Sequence, residues 1–275
     1  MIPLWKIKRE MRRIFLPDYK KRLYSDVSSS DKDYLREISD SYAGKRCFVI
    51  GNGPSLTASD LDKIKDEMSF ASNKIFLIYD QTDWRPDFYC VEDMLVLSQC
   101  LDEIRNLSGS KKLFPINAFN NLERVPDSVC FPTIPPKNWD EPLSDPEFPE
   151  FSPDLSRGIG WGSTIVYTEI QLAIAMGFKE ICLLGLDHQY SPGKESKEEK
   201  GVMISEGEKN HFHPLYRPAG EKWHSPNLHV LEVSYAKAQS EAEALGVRIV
   251  NCSRRTSLTV FEREDLETVL ARPSA

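Results

Sequence analysis

Four groups of residues in this chain have types and spacings suited to chemistry. The first is Gly51-Asn52-Gly53-Pro54-Ser55, which ends the apolar run Cys47 to Ile50. Glycines there let backbone N–H groups approach a phosphate, because no Cβ intervenes. The same residues also make a plain strand–helix turn, and the pattern is neither GxGxxG nor a Walker loop. The second is Arg157-Gly158-Ile159-Gly160-Trp161-Gly162-Ser163-Thr164, three glycines and a Ser/Thr cap ahead of an apolar helix. The third is a set of polar residues just past apolar runs: Asn73, Glu92-Asp93 and Asp187. The fourth is histidine: His211-Phe212-His213 and His224 in Trp223-His224-Ser225-Pro226-Asn227. With Asp187 or His188, His211 and His213 would make a metal set. No third ligand has a secure spacing, so they are read as substrate contacts or exposed residues and no metal is expected. Asp60-Leu61-Asp62 has the DxD form of many metal-dependent glycosyltransferases, but it opens a helix, where acids serve as caps.

These residues need a frame that brings them together. Lys45–Ile50, Ser69–Asn73, Asp87–Val91, Lys179–Leu186 and Val247–Asn251 read as strands. Asp33–Tyr42, a segment opening at Ser59, Met94–Leu107, Ser163–Gly177 and Leu228–Leu245 read as helices. Lys179–Leu186 is apolar almost throughout, as a parallel strand buried on both faces should be. The alternation predicts an α/β fold: a Rossmann-like, mainly parallel sheet with helices on both faces. Residues 43–275 form that domain, with a proline-rich irregular insertion at 114–156 and a lid-like segment at 191–226. Residues 1–42 precede it as a basic, amphipathic helical arm. Ligands in open α/β sheets sit beyond the C-terminal strand ends, where the polar residues named above collect.

Composition narrows the partners. A net charge of −7 argues against a general nucleic-acid binder. No apolar run is long enough to cross a bilayer and no signal peptide is evident, so a cytoplasmic protein is expected. Six scattered cysteines without CxxC pairs fit buried thiols. Residues 1–25 carry eight Lys/Arg against two acids, interleaved with Leu4, Trp5, Ile7, Met11, Ile14, Phe15 and Leu16. Such a segment suits an anionic inner-membrane surface, or packing on its own domain or on another subunit of a homo-oligomer.

The blocks GNGPSL, SNKIFL, GFKEICLLGLDHQY and WHSPNLHVLEVSY resemble the MptE-like family, named for a 6-hydroxymethylpterin diphosphokinase. NHFHPLY and RIVNCSRRTSLTVFEREDL are most similar to its bacterial, polysaccharide-associated members. The same blocks resemble the related bacterial lipooligosaccharide sialyltransferases, which use CMP-sialic acid without a catalytic metal. The resemblance spans about residues 45–262. It implies a glycosyltransferase that takes a nucleotide-activated sugar, such as a CMP-linked acidic sugar, to a glycan or lipid-linked acceptor in surface-glycan assembly. By the same resemblance, Asn52 and Asn73 contact the nucleotide sugar and Gly162-Ser163-Thr164 meets the donor. Asp187 holds ribose or cytosine, Tyr190 lies near the phosphate, and His224 is the general base. A near-neutral imidazole suits removal of an acceptor hydroxyl proton. The sialyltransferases carry an amide where this chain has Glu92-Asp93, which bears on donor identity. No cofactor is expected on this reading. The alternatives are a diphosphokinase using ATP and Mg²⁺, with Glu92, Asp93 and Asp187 as carboxylates for the ion, and a non-catalytic nucleotide-binding module.

Overall fold

A computed structural model describes residues 26–120, 122–190, 202–207 and 209–273. The basic segment 1–25 and part of the lid-like segment lie outside the described residues. In chain order the strands are β1 (Arg46–Ile50), β2 (Met68–Ser72), β3 (Phe88–Cys90), β4 (Lys111–Pro115), β5 (Ser128–Phe131), β6 (Thr133–Ile134), β7 (Ile159–Gly160), β8 (Glu180–Leu184), β9 (Val202–Ile204), β10 (Lys222–His224), β11 (Arg248–Asn251) and β12 (Glu262–Arg263). The helices are α1 (Ser29–Ile38), α2 (Ala58–Lys63), α3 (Met94–Gln99), α4 (Leu101–Asn106), α5 (Ile165–Ala175), α6 (Leu228–Ala244) and α7 (Leu266–Leu270).

Eight strands form one sheet in the order β12-β11-β8-β1-β2-β3-β4-β5, and every pairing in it is parallel. Side chains alternate across each strand, so one sheet feeds two cores. Cys47, Val49, Phe70, Phe88, Ile181 and Leu183 join α1, α5 and α6 on one face. Phe48, Ile50, Ala71, Tyr89, Cys182 and Leu184 join α2, α3, α4 and α7 on the other. The expected α/β architecture is therefore present, with helices on both faces. All six cysteines are buried thiols.

Helix α5 is buried at every position, which explains its nearly uninterrupted apolar sequence. Its Gln171 serves structure: Oε1 accepts from the N–H groups of Ser152 and Gly160, and Nε2 donates back to Gly160 and Tyr167 carbonyls. Helix α1 starts earlier than its apolar spacing suggests. Ser28 caps it by accepting the Asp31 N–H at 3.1 Å, and it ends at Ile38. Leu35 and Ile38 lie in the core, and the Tyr42 ring stacks on Phe178 at 4.8 Å. Packing is therefore continuous across residue 42, where a break was expected.

Two further expectations need correction. Met94–Leu107 is not one helix but two, α3 and α4, separated at Cys100 with φ −118° and ψ 24°. The stretch 114–156 is not wholly irregular: it holds the end of β4, all of β5 at the sheet edge, and β6. Its prolines mask strands that pair in register with β3 and β4. β6 pairs with β7 as a separate two-stranded parallel ribbon.

Candidate active site

Strands β1 through β5 run outward in one direction, while β8, β11 and β12 run outward in the other. The switch point therefore lies between β1 and β8, and the crevice beyond its C-terminal ends is where a ligand is expected. Two loops meet there, after β1 and after β8.

Their contact redefines the glycines. Gly51 N–H donates to the Leu184 carbonyl at 2.7 Å, and Gly53 N–H donates to the Gly185 carbonyl at 2.8 Å. A Cβ on Gly51 would sit 2.6 Å from the Gly185 oxygen, and one on Gly53 would sit 2.5 Å from Asp187 Oδ2. The glycines thus let two backbones touch, and those two amides are already used. The expectation that they cradle a phosphate is corrected. Asp187 is 4% exposed. Its Oδ2 accepts the Ser55 N–H at 2.7 Å and its Oδ1 accepts the Ser55 hydroxyl. Ser55 and Asp187 therefore latch the crossing, and the expected ribose or base contact from Asp187 finds its carboxylate engaged.

The side chains between the glycine backbones point to a different use. Asn52 Nδ2 donates to the Ser72 carbonyl at 3.3 Å, while its Oδ1 is buried without a partner. Asn73, at the end of β2, adopts φ +54° and donates its N–H to Cys90. Its Oδ1 is also buried and unpartnered. Two orphan amide oxygens on adjoining strand ends are acceptors whose burial is otherwise costly.

Beyond β3 lie Glu92 and Asp93. Glu92 Oε2 accepts from Thr168 Oγ1 at 2.7 Å. Burial, with the Asp93 charge adding to it, pushes the Glu92 carboxyl up to about 7 despite that hydrogen bond. Asp93 caps α3 by accepting the Leu95 N–H at 2.8 Å. It also meets His224 Nδ1, 3.1 Å from each carboxylate oxygen. A carboxylate only accepts, so Nδ1 carries the proton and Nε2 holds the lone pair. The hydrogen bond that Asp93 accepts from His224, strengthened by the carboxylate's charge against some burial, raises His224 above the ordinary imidazole value. Burial pulls Asp93 upward, but the His224 contact and the α3 amides outweigh it and leave Asp93 low.

His224 reaches this position on a hairpin. β10 pairs antiparallel with β9, and Gln99 Nε2 holds the Lys222 carbonyl at 2.8 Å. Next to it, the buried Lys74 ammonium pairs with Glu221. The segment before β10 also docks on the strand ends: Phe212 N–H donates to the Asn52 carbonyl at 3.2 Å. The Lys74 ammonium lies 6.0 Å from the Tyr216 ring centroid. The His211 ring stacks on Tyr216 with centroids 3.9 Å apart and planes 6° apart. Burial, then the Arg217 and Lys74 charges, depress His211 to about 3, so it is neutral at physiological pH. His213 Nδ1 accepts the Leu215 N–H at 3.1 Å. Among the described residues, no group of three or more His, Cys, Asp or Glu side chains converges on a point a metal ion could take.

The second glycine loop sits at the same edge, because α5 runs back from it. A Cβ on Gly162 would lie 2.3 Å from the Tyr167 ring, and the Gly162 carbonyl accepts from Ser234 Oγ at 2.7 Å. Ser163 adopts φ +63°. Thr164 Oγ1 lies 3.2 Å from the Tyr235 hydroxyl instead of capping its own helix. The half-exposed Tyr190 joins through His188, whose ring centroid lies 6.4 Å from that of Tyr190 and 5.9 Å from that of Tyr235.

Asn52, Asn73, Glu92, Asp93, His211 and His224 are thus linked at one sheet edge. Ser55 and Asp187 belong to the loop crossing beneath it. Sequence reasoning missed Lys74, Tyr216, Glu221 and Tyr235. It also missed Glu169, fully buried on α5 with neither oxygen partnered and held well above the usual carboxylate range by burial and Glu92. A glutamate inside so apolar a helix was the available signal. The helix-cap reading of Asp60 holds: it forms a capping box with Thr57 and also binds Arg254 through two guanidinium nitrogens, at 2.6 and 2.5 Å. A cavity of about 360 Å³ lies beside that pair, lined by Ser55, Arg254 and Arg263 among others, and none of the dyad or asparagine residues reaches it.

Among solved structures, the chain is similar to the MAf glycosyltransferase from Magnetospirillum magneticum AMB-1, with 15% identity and a TM-score of 0.49. That match covers 84% of this chain and 35% of the other, so the chain spans about a third of that protein's length. It is also similar to the sialyltransferase CstII from Campylobacter jejuni in complex with cytidine-5'-monophosphate, with 16% identity and a TM-score of 0.44 over 80% of this chain and 85% of that one. A comparison with curated proteins gave no match. A family model described as MptE-like, 6-hydroxymethylpterin diphosphokinase MptE-like, matches residues 21–193, and the chain therefore belongs to the MptE-like family.

Proposed function

We propose that this protein is a glycosyltransferase that takes a nucleotide-activated sugar, with His224 as the general base. The observation that carries this reading is the His224–Asp93 dyad, half-exposed on a hairpin at the functional edge of the sheet. Asp93 fixes the tautomer, and His224 Nε2 takes the acceptor hydroxyl proton as that oxygen attacks the anomeric carbon. The bond from the anomeric carbon to the donor phosphate breaks, and the electron pair leaves with the phosphate. Tyr190 lies near that phosphate and stabilises its charge through its hydroxyl. Asn52 and Asn73 bind the nucleotide through their unpartnered amide oxygens, which suit an amino-bearing base such as cytosine. Gly162, Ser163 and Thr164 border the donor. The basic segment 1–25 brings the enzyme to an anionic membrane surface that carries a lipid-linked acceptor for surface-glycan assembly. No helix among the described residues is long and apolar enough to cross a membrane.

The family description favours a second reading, Mg²⁺-dependent diphosphoryl transfer from ATP. The residues present do not fit its ion well. Asp187 is bound to Ser55, Asp93 to His224, and Glu92 is held toward neutrality. A thermal-shift screen of CMP, CDP, UDP, GDP and ATP, each with and without Mg²⁺, separates the two. Stabilisation by CMP without metal supports glycosyl transfer. Stabilisation by ATP only with Mg²⁺ supports the second reading and overturns the first.

A further inference from the structure

Helix α5 buries an acid that no contact of the fold explains. Glu169 is 0% exposed, and neither carboxyl oxygen has a hydrogen-bond partner among the described residues. An ionised carboxylate without a partner is not stable at such depth, so the group is a neutral carboxylic acid. Burial, with the Glu92 charge adding to it, holds its proton well above the usual carboxylate range. The nearby Ser72 hydroxyl pulls less strongly the other way, without reaching bonding geometry.

Strand alternation places this acid at the strand ends. Ser72 pairs in register with Cys90, and Phe70 and Cys90 face the core that α5 covers, so Ser72 faces it too, as does Glu92 two residues past Cys90. One residue before Glu169, Thr168 donates to Glu92 at 2.7 Å and fixes this turn of α5 against the end of β3. The Ser72 carbonyl accepts the Asn52 amide, and that bond fixes the Asn52 oxygen as the atom left without a partner. Asn73 follows with its own unpartnered oxygen. Asn52, Asn73 and Glu92 are half-buried and form a rim, while Ser72 and Glu169 are fully buried and form a floor.

This floor and rim define a ligand. A neutral carboxyl offers one O–H donor beside one carbonyl acceptor, and the two asparagine oxygens only accept. The matching edge has an amino group beside an unprotonated ring nitrogen, as cytosine has at N4 and N3. Uracil puts a carbonyl oxygen where cytosine has the amino group, so oxygen would face oxygen. We propose that Glu169 is the specificity-determining residue of the donor site, reading the amino-bearing edge of a nucleobase together with Asn52 and Asn73. Its O–H donates to the ring nitrogen, its carbonyl accepts one amino hydrogen, and an asparagine oxygen accepts the other. The proposal rests on the reading that Asn52 and Asn73 bind a donor nucleotide, and adds to it the residue that selects the base.

The test is calorimetric titration of the full-length protein with CMP and with UMP, which differ at this edge alone. CMP is expected to bind about ten- to hundredfold more tightly, as an unmatched buried polar pair predicts. Glu169→Gln presents the same donor and acceptor and should keep that preference. Glu169→Leu should erase it by weakening CMP and leaving UMP unchanged. The Leu variant replaces an unpartnered buried acid with an apolar side chain of similar size, so it should melt at least as high as the parent when followed by circular dichroism. The proposal is overturned if the parent binds UMP as tightly as CMP, or if Glu169→Leu keeps the preference. It is also overturned if Glu169→Leu melts below the parent, which would make the acid a satisfied structural group. Equal binding of CMP and UMP removes only the role of Glu169, whereas no binding of either nucleotide removes the donor reading as well.

Discussion

His224 Nδ1 lies 3.1 Å from both carboxylate oxygens of Asp93. Because the two residues are 131 positions apart, the lid hairpin and the β3–α3 junction must be docked for the contact to exist. Orientation of the His224 ring and docking of the hairpin are therefore one event.

The pH dependence of transfer follows from this contact. Asp93 raises the His224 value, and a base must be neutral to act, so kcat should climb with pH through that raised value. Asp93→Asn keeps the α3 cap but removes the charge, which moves the acidic limb to lower pH and lowers its plateau. His224→Ala should cost about 10²- to 10⁴-fold in kcat with nucleotide binding retained. A pH–rate profile of the parent and both variants checks this. An unmoved limb in Asp93→Asn removes the dyad from the mechanism.

The half-buried Glu92 carboxyl predicts a stability trend of definite sign. Its value is raised from 4.5 in the unfolded chain to about 7 in the folded protein. The folded state therefore holds a proton that the unfolded state has lost, and Glu92's contribution to stability declines as pH rises from 4.5 toward 7. Glu92→Gln keeps the Thr168 hydrogen bond and does not titrate. It should remove on the order of 2 kcal/mol of that decline. Urea unfolding at pH 5 and pH 7.5 measures the difference.

The loop crossing predicts two costly substitutions far from any base. Gly53→Ala forces a methyl against Gly185 and Asp187 and should destabilise by about 1–3 kcal/mol. Ser55→Ala removes the hydroxyl donor to Asp187 Oδ1 while the backbone N–H at residue 55 still reaches Oδ2, and should cost about 1–3 kcal/mol. Chemical denaturation reads both. A near-neutral Gly53→Ala would show that the two loops separate easily.

Lys74 and Glu221 fasten the hairpin to the end of β2, with side chains 7% and 18% exposed. Lys74→Met strands the carboxylate and should cost about 3–5 kcal/mol of local or global stability. Hydrogen exchange should show faster amide exchange in residues 202–226 than in β1. Uniform loss across both segments would mean that the hairpin does not open on its own.

Much of the sheet was legible because β1 and β8 are continuous apolar runs, as strands buried on both faces must be. β4 and β5 were not, since Lys111, Lys112 and Pro115 break the apolar pattern and prolines crowd the segment after them. Asn52, Asn73, Asp93 and His224 could be found as polar residues placed after strands or on a distinct HS-x-N pattern. That Asp93 and His224 touch could not, because nothing local links a helix cap to a hairpin. The glycines misled for a similar reason. A Gly that admits a phosphate and a Gly that admits another backbone look identical until residue 185 is brought beside residue 51.

The touching of Gly51 and Gly185 has an evolutionary corollary. The two wings of the sheet are sewn along a seam with no side chains to adjust, so neither wing can drift in position without the other. Recombination between relatives should succeed when both glycine turns come from the same parent and fail when they come from different ones. New specificity would then arise above the seam, in the hairpin, while the seam itself is inherited whole.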